Sequence, residues 1–159
     1  MVLVEDTVDQ IRNIMTDLRP PVLDDFGLHA ALEWSIARFT ERTSIAVEYT
    51  GRDLTKRLPL NLEYALFRMA QEALHNVVKH ARASHIRVTM KEHRDSVRLT
   101  IQDDGIGFDL KKLAEKKEAP GFGLTDIAER MKALGGTFEI TSSPGKGTRI
   151  ILEIKRTAI

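Results

Sequence analysis

The sequence contains no cysteine. That excludes disulfides, thiolate metal centres and cysteine nucleophiles, and it is compatible with a reducing compartment without requiring one. No apolar run approaches the roughly 18 residues a membrane span needs, and the opening residues lack the layout of a signal peptide. Neither sign of charge is in excess. Lys and Arg number 24 against 23 Asp and Glu, a formal net charge of +1, which argues for neither a nucleic-acid surface nor an acidic substrate. The GxSxG elbow, the HExxH helix and the Walker GxxxxGK[ST] loop are all absent. So are internal repeats, low-complexity tracts and any isolated carboxylate pair of the glycosidase kind. What is present is a chain of 159 residues, 42% hydrophobic and 30% charged, enough for one globular domain with a real core and an appended helix.

The informative stretch is residues 101–124, IQDDGIGFDLKKLAEKKEAPGFGL, where two glycine clusters flank a charged loop. Asp103-Asp104-Gly105-Ile106-Gly107 follows an apolar-alternating run and falls where a strand runs out. Gly121-Phe122-Gly123 precedes a helical pattern. Glycines at a strand exit let the backbone approach a flat ligand, because no Cβ intervenes. Glycines before a helix leave its unpaired N–H groups open to phosphate oxygens, where the helix dipole favours negative charge. An acid beside the first cluster can accept from an exocyclic amine. The two clusters together suggest a nucleotide held by its base at one end and its phosphates at the other. Each cluster alone is unspecific.

Residues 3–18 read as a helix in which Val4, Val8, Ile11, Met15 and Leu18 make a narrow a/d seam. An ordinary helix packed on its own domain fits two heptads as well. Pro20-Pro21 closes it. After a turn at Asp24-Asp25, Leu28, Ala31, Leu32, Ile36 and Phe39 mark a helix to about residue 41. Residues 45–49 alternate as a strand, and residues 51–58 form a charged link. Pro59 opens a long helix to about residue 81, with Leu62, Leu66, Met69, Ala73 and Val77 as its buried stripe. Glu72, Asn76, Lys79 and His80 share another face, within about 100° of arc. A mid-helix asparagine gains nothing on a merely solvated face, and this polar stripe could hold a cation and phosphates together. His75, His80 and His85, spaced by five, stand about 140° apart on a helix and cannot converge on a metal. Residues 85–90 and 97–101 alternate in phase as a hairpin turning at 94–96, whose second strand delivers Asp103. Residues 108–120 read as a lid with room for one helical turn. A helix over 124–134 closes at Gly135-Gly136, and strands at 137–141 and 148–154 meet at Ser143-Pro144-Gly145. The order α, β, α, β, β, lid, α, β, β predicts an α+β fold, a two-layer sandwich.

Four pieces now stand in one order: Gln71-Glu72-x-x-x-Asn76-x-x-Lys79-His80-Ala81, Asp103-x-Gly105-x-Gly107, Gly121-x-Gly123-Leu124 and Gly147-Thr148. Together they resemble the catalytic, ATP-binding domain of two-component sensor histidine kinases, in the gyrase, Hsp90, histidine kinase and MutL superfamily. The resemblance implies the Bergerat fold, a mixed and mainly antiparallel sheet against three helices. Leu18-Arg19-Pro20, Leu23, Gly27-Leu28 and Ala31-Leu32 look like the junction of the subgroup that signals to response regulators with a helix-turn-helix output. The short lid and the Gly-Leu-x-x-Ile-x-x-Arg run from Gly123 to Arg130 fit that subgroup too. The resemblance covers residues 16–155. It implies that residues 1–20 end a dimerisation hairpin and that residues 21–159 form the ATP-binding domain.

By this resemblance Asn76 would coordinate Mg²⁺ through its side-chain oxygen and Glu72 would sit beside the metal and its waters, the two forming the catalytic set. Lys79 and His80 would face the phosphates. Asp103 would accept the adenine amino group, with Gly105 and Gly107 letting the ring lie close. Gly121, Phe122, Gly123 and Leu124 would meet the phosphates as the lid orders, and Thr148 would support the adenine end, with a water. An exposed carboxylate at Asp103 stays ionised at neutral pH and accepts strongly. Asp104 stands where the family commonly has Asn, with little consequence expected.

One departure matters more. These kinases phosphorylate a histidine followed by an acidic residue, and none of the five here is so placed: His29 precedes Ala30 and His75 precedes Asn76. The resemblance therefore implies a catalytic fragment using ATP and Mg²⁺. Its partners would be its own dimerisation and phosphoacceptor domain, within a homodimer, and a response regulator, with no nucleic acid. It would be cytoplasmic, meeting a membrane only through other parts of its parent. An anti-sigma-factor-type serine kinase, or another ATPase of the superfamily, is the competing enzyme. A nucleotide-gated interaction module without transfer is the competing non-enzyme, and intact Glu72 and Asn76 argue against it.

Overall fold

The structure, a computed structural model, describes residues 19–115 and 123–156. The seam expected over residues 3–18 lies outside them, as do Gly121 and Phe122. Helices α1 (Pro21–Phe26) and α2 (Leu28–Thr43) lead to strand β1 (Ala46–Thr50), and α3 (Leu60–Asn76) runs into a π-helical turn (Val77–Ala81). Strands β2 (His85–Glu92) and β3 (Ser96–Asp103) form a hairpin, followed by α4 (Leu110–Glu115), α5 (Gly123–Ala133), β4 (Thr137–Ser142) and β5 (Thr148–Lys155). The five strands make one sheet in the order β1-β2-β3-β5-β4. β1 runs parallel to β2, with Ala46 opposite His85. The other pairings are antiparallel. The mixed, mainly antiparallel sheet expected from the resemblance is what forms.

Alternation decides which face of the sheet is covered. Ile86, Val88 and Met90 on β2, Val97, Leu99 and Ile101 on β3, and Ile150, Leu152 and Ile154 on β5 are all buried on one side. They share a single core with Leu28 and Leu32 of α2, Leu66 and Phe67 of α3, and Ile127 and Met131 of α5. Burying each such side chain contributes about 1.5–3 kcal/mol. The intervening residues face outward and pair, as Arg98 Nη2 does with Glu153 Oε2 at 2.7 Å. The helix-on-sheet sandwich follows from these two periods.

Three details depart from the sequence reading. The turn placed at Asp24-Asp25 is instead part of α1. Pro20 and Pro21 occupy the N-cap and first positions, where proline starts a helix, Leu23 docks in the core, and Gly27 at φ +88° separates α1 from α2. The charged link over 51–58 is not merely solvated. Arg57 Nη2 reaches Glu63 Oε2 at 2.6 Å and Leu23 O at 2.9 Å, and Nη1 reaches Asp24 O at 3.1 Å, which ties α1 to α3. Finally, the α-helix read as far as residue 81 stops at Asn76, and its last turn is π. The lid does hold a helical turn, α4, begun by Asp109, whose Oδ1 accepts from Lys111 N at 2.9 Å and Lys112 N at 3.3 Å. Gly135, at φ +71°, and the Gly136 N–H, 2.8 Å from Met131 O, end α5 as expected.

Candidate functional site

A cavity of about 340 Å³ opens between α3, the loop after β3, α4, α5 and β5. That is within the range of small-molecule sites. The π-helical turn forms one wall, with Asn76 just before it and Ala81 at its end, and both line the cavity along with His80, Asp103, Gly107, Leu124 and Thr148. Single π turns recur at functional sites.

At one end the inward phase of β3 carries past Ile101 to Asp103, which is 6% exposed. Its Oδ1 accepts the Gly105 N–H at 2.8 Å, and the Thr148 N–H also points to the carboxylate. Burial pushes this carboxyl above the usual carboxylate range, against the pull of those two N–H groups. The sequence reading of an exposed Asp103 is therefore corrected: strand alternation places it in the core face. Gly105 is packed as tightly, since a Cβ there would stand 2.2 Å from Ala81 O. Asp104 has a job the sequence did not suggest. It accepts from Ser84 N at 2.9 Å, His85 N at 3.0 Å and Ser84 Oγ at 2.8 Å, fastening the start of β2. The His85 N–H, then the Ser84 hydroxyl, hold its carboxyl low.

At the other end Asn76 Nδ2 is buried with no hydrogen-bond partner among the described residues. Such an orphaned group costs stability unless a ligand completes it. Gly123 opens α5 against it: a Cβ there would lie 2.5 Å from Glu72 Oε1 and 3.2 Å from Asn76 Nδ2. The structure thus brings Glu72, Asn76 and Gly123 together. Lys79 is exposed and does not line the cavity, whereas His80 is exposed and does. The sequence reading missed Ser142, whose hydroxyl meets Phe108 N at 2.9 Å, Gly147 O at 3.0 Å and Thr148 Oγ1 at 2.9 Å. A lone serine at a strand end carries no signal of that role.

Residues 61–158 match the family described as histidine kinase-, DNA gyrase B- and HSP90-like ATPases. The chain belongs to that family. It is 40% identical over 155 residues to the signal transduction histidine-protein kinase/phosphatase DegS of Brevibacillus brevis, covering 98% of this chain and 39% of that protein. To the sensor histidine kinase ComP of Bacillus subtilis it is 34% identical over 152 residues, 96% of this chain and 20% of that protein. The chain thus spans two fifths or less of these relatives' length. Among solved structures, the histidine kinase domain of the Erythrobacter litoralis EL346 blue-light activated kinase shares the fold with a TM-score of 0.63 at 22% identity, over 81% of this chain and 58% of that one. Acinetobacter baumannii AdeS shares it at 0.64 and 15% identity, over 98% of this chain and 85% of that one. The domain is an ATP-binding domain of the histidine-kinase type.

The donor set suits Mg²⁺. No group of three His, Asp or Glu that could hold a metal occurs among the described residues. Mg²⁺ keeps its waters and takes few protein ligands beside substrate phosphates, so a full cage is not required. The Glu72 carboxylate and the orphaned Asn76 amide supply such a partial set, since half a turn of the amide presents Oδ1 in place of Nδ2. No helix among the described residues is long and apolar enough to cross a membrane.

Proposed function

We propose that this chain is the catalytic part of a sensor histidine kinase, binding ATP with Mg²⁺ in the cavity and passing the γ-phosphoryl to a histidine on a dimerisation domain. The observation that supports it is the pairing of a buried acceptor, Asp103, with a buried unpartnered amide, Asn76, on either side of one π-helical turn. Such a cavity suits a ligand that donates at one end and presents anionic oxygens at the other. Asp103 accepts the exocyclic amine of adenine, next to Thr148. Glu72, Asn76 and the first N–H groups of α5 flank the phosphates. Mg²⁺, when bound, supplies charge neutralisation there, with Asn76 and Glu72 as its protein contacts. Lys79 and His80, on the π turn, are assigned to the phosphate end together with Gly121, Phe122, Gly123 and Leu124. During transfer the bond from γ-phosphorus to the bridging oxygen breaks as a phosphorus–nitrogen bond forms. ADP departs, and the imidazole proton goes to solvent. Positioning supplies most of the acceleration.

In this reading residues 1–20 end the dimerisation hairpin and residues 21–159 are the catalytic domain. The parent is a homodimer acting in the cytoplasm, and the phosphoryl passes on to a response regulator of the helix-turn-helix type. The test mixes the chain with labelled ATP and candidate hairpin fragments. Acid-labile label on a fragment's histidine supports the reading. Acid-stable label on serine favours a serine kinase, and nucleotide binding without transfer to any fragment favours an interaction module.

A further inference from the structure

Ser142, the last residue of β4, fixes the direction of a hydrogen bond at the base end of the cavity. Its Oγ lies 3.0 Å from Gly147 O, 2.9 Å from Phe108 N and 2.9 Å from Thr148 Oγ1. A serine hydroxyl has one proton to give and two lone pairs to accept with. The Gly147 carbonyl can only accept, so it takes the Ser142 proton. The Phe108 N–H can only donate, so it fills one lone pair. The third bond must then run from the Thr148 hydroxyl to Ser142. With its proton committed in this way, Thr148 has lone pairs alone to offer the cavity it lines. Asp103 beside it is an acceptor too, held by the Gly105 N–H at 2.8 Å.

We propose that Ser142 is a positioning residue that sets the hydrogen-bond polarity of Thr148, and through it makes the point of the site that Thr148 faces prefer a donating 6-amino group over an accepting 6-oxo group. The inference rests on the nucleotide reading of the cavity and deepens it, assigning to a residue that touches no ligand a share in choosing a 6-amino over a 6-oxo purine. Removing the Ser142 hydroxyl has two effects. It frees the Phe108 N–H, which loosens the start of the lid for any nucleotide, and it frees the Thr148 proton, which Thr148 can then donate to a carbonyl. Only the second changes which base is preferred.

The discriminating measurement is the ratio of dissociation constants for inosine triphosphate and ATP, titrated against the whole chain. Inosine carries a carbonyl and a ring N–H where adenine carries an amine and a bare ring nitrogen. Wild-type chain should favour ATP. Ser142→Ala should lower the ratio about fivefold, the size of one neutral hydrogen bond, and Ser142→Thr, which keeps the hydroxyl, should restore it. Ser142→Cys, close in volume but a weak acceptor, should lower it part-way and gives the same reading should alanine prove too destabilising. Thr148→Val should lower the ratio as much as Ser142→Ala does, and combining the two should lower it no further. If Ser142→Ala weakens both nucleotides equally and leaves the ratio intact, the assignment is overturned and Ser142 is only a pin for the lid. Wild-type chain that binds neither nucleotide would instead overturn the nucleotide reading, an outcome visible before any variant is made.

Discussion

At the scale of single residues, two neighbouring aspartates respond to pH in opposite directions. Burial raises the Asp103 carboxyl above its ordinary value, with the Gly105 and Thr148 N–H groups pulling the other way. The charged form is disfavoured in the fold, so the fold binds a proton there more tightly than the unfolded chain does. As pH falls through the raised value, Asp103 takes up a proton and loses its charge-assisted acceptor strength. ATP affinity should therefore drop on a limb that lies above the roughly 3.9 of a free aspartate. Calorimetric titration from neutral to acid pH checks this, and a limb at or below that value counts against the role given to Asp103. Asp103→Asn should remove the limb and weaken ATP by about 1–3 kcal/mol at neutral pH. Asp104 is held low by the His85 N–H and then the Ser84 hydroxyl. It contributes stability above its unfolded pKa, and that contribution is lost as pH falls through its lower folded value. The position of Asp103 at a strand exit was legible in the sequence because alternation locates it. Its burial was legible in principle from the same phase, which the expectation of an exposed, ionised acceptor left unused. The polarity proposed for Thr148 was not legible at all, because it depends on Ser142 at the end of β4 meeting Gly147 of the following turn and Phe108 from the loop after β3.

Among the elements, α3 and the start of α5 meet where Gly123 approaches Glu72 and Asn76, and their contact can be probed by substituting glycine. A Cβ at Gly123 meets Glu72 Oε1 at 2.5 Å, the free end of a flexible side chain, whereas one at Gly105 meets the Ala81 backbone carbonyl at 2.2 Å. Gly123→Ala should thus shift Tm by less than about 3 °C, since alanine also favours the helix, yet displace Glu72 and cut Mg²⁺-dependent ATP binding. Gly105→Ala should lower Tm well beyond that. Melting curves with and without nucleotide separate the two, and equal losses of Tm would contradict the contact assigned to Gly123. The link before α3 offers a second test. Glu63 is wholly buried and Arg57 is its partner at 2.6 Å. Arg57→Ala should destabilise by about 2–3 kcal/mol, less than for a fully buried pair because Arg57 is half exposed, and Glu63→Gln in that background should recover part of the loss. Denaturant titration of the three proteins measures it. Every long element was readable, because stripes at 3.6 and alternation at 2 are properties of local sequence. α1 and the π turn were not. α1 is set by Leu23 docking and by Arg57 arriving from 33 to 34 residues away, and a π turn has no residue signature of its own.

Across the whole molecule, the proposed function asks the site to position a phosphate, and none of the five histidines, all among the described residues, is placed as an acceptor beside it. His29 is bonded to Tyr49 Oη at 3.0 Å, His85 lies 3.6 Å from Glu48, and neither lines the cavity. His75 and His93 are exposed and also stand apart from it. His80 lines the cavity on its π-turn wall, and the proposed function gives it a contact with phosphate oxygens rather than the acceptor's role. Transfer requires an imidazole nitrogen opposite the bridging oxygen, and geometry supplies most of the rate. The chain alone should accordingly not label itself. A separate hairpin fragment should be labelled, but slowly. A tether holds its target at an effective concentration of about millimolar, so micromolar mixing in trans should run about a hundred- to thousand-fold slower than transfer within one protein. The rate in trans should rise linearly with fragment concentration, and Asn76→Ala should abolish it. Rapid self-labelling that disappears in His80→Gln would show that the acceptor sits in the cavity wall, and would overturn the division of labour drawn here.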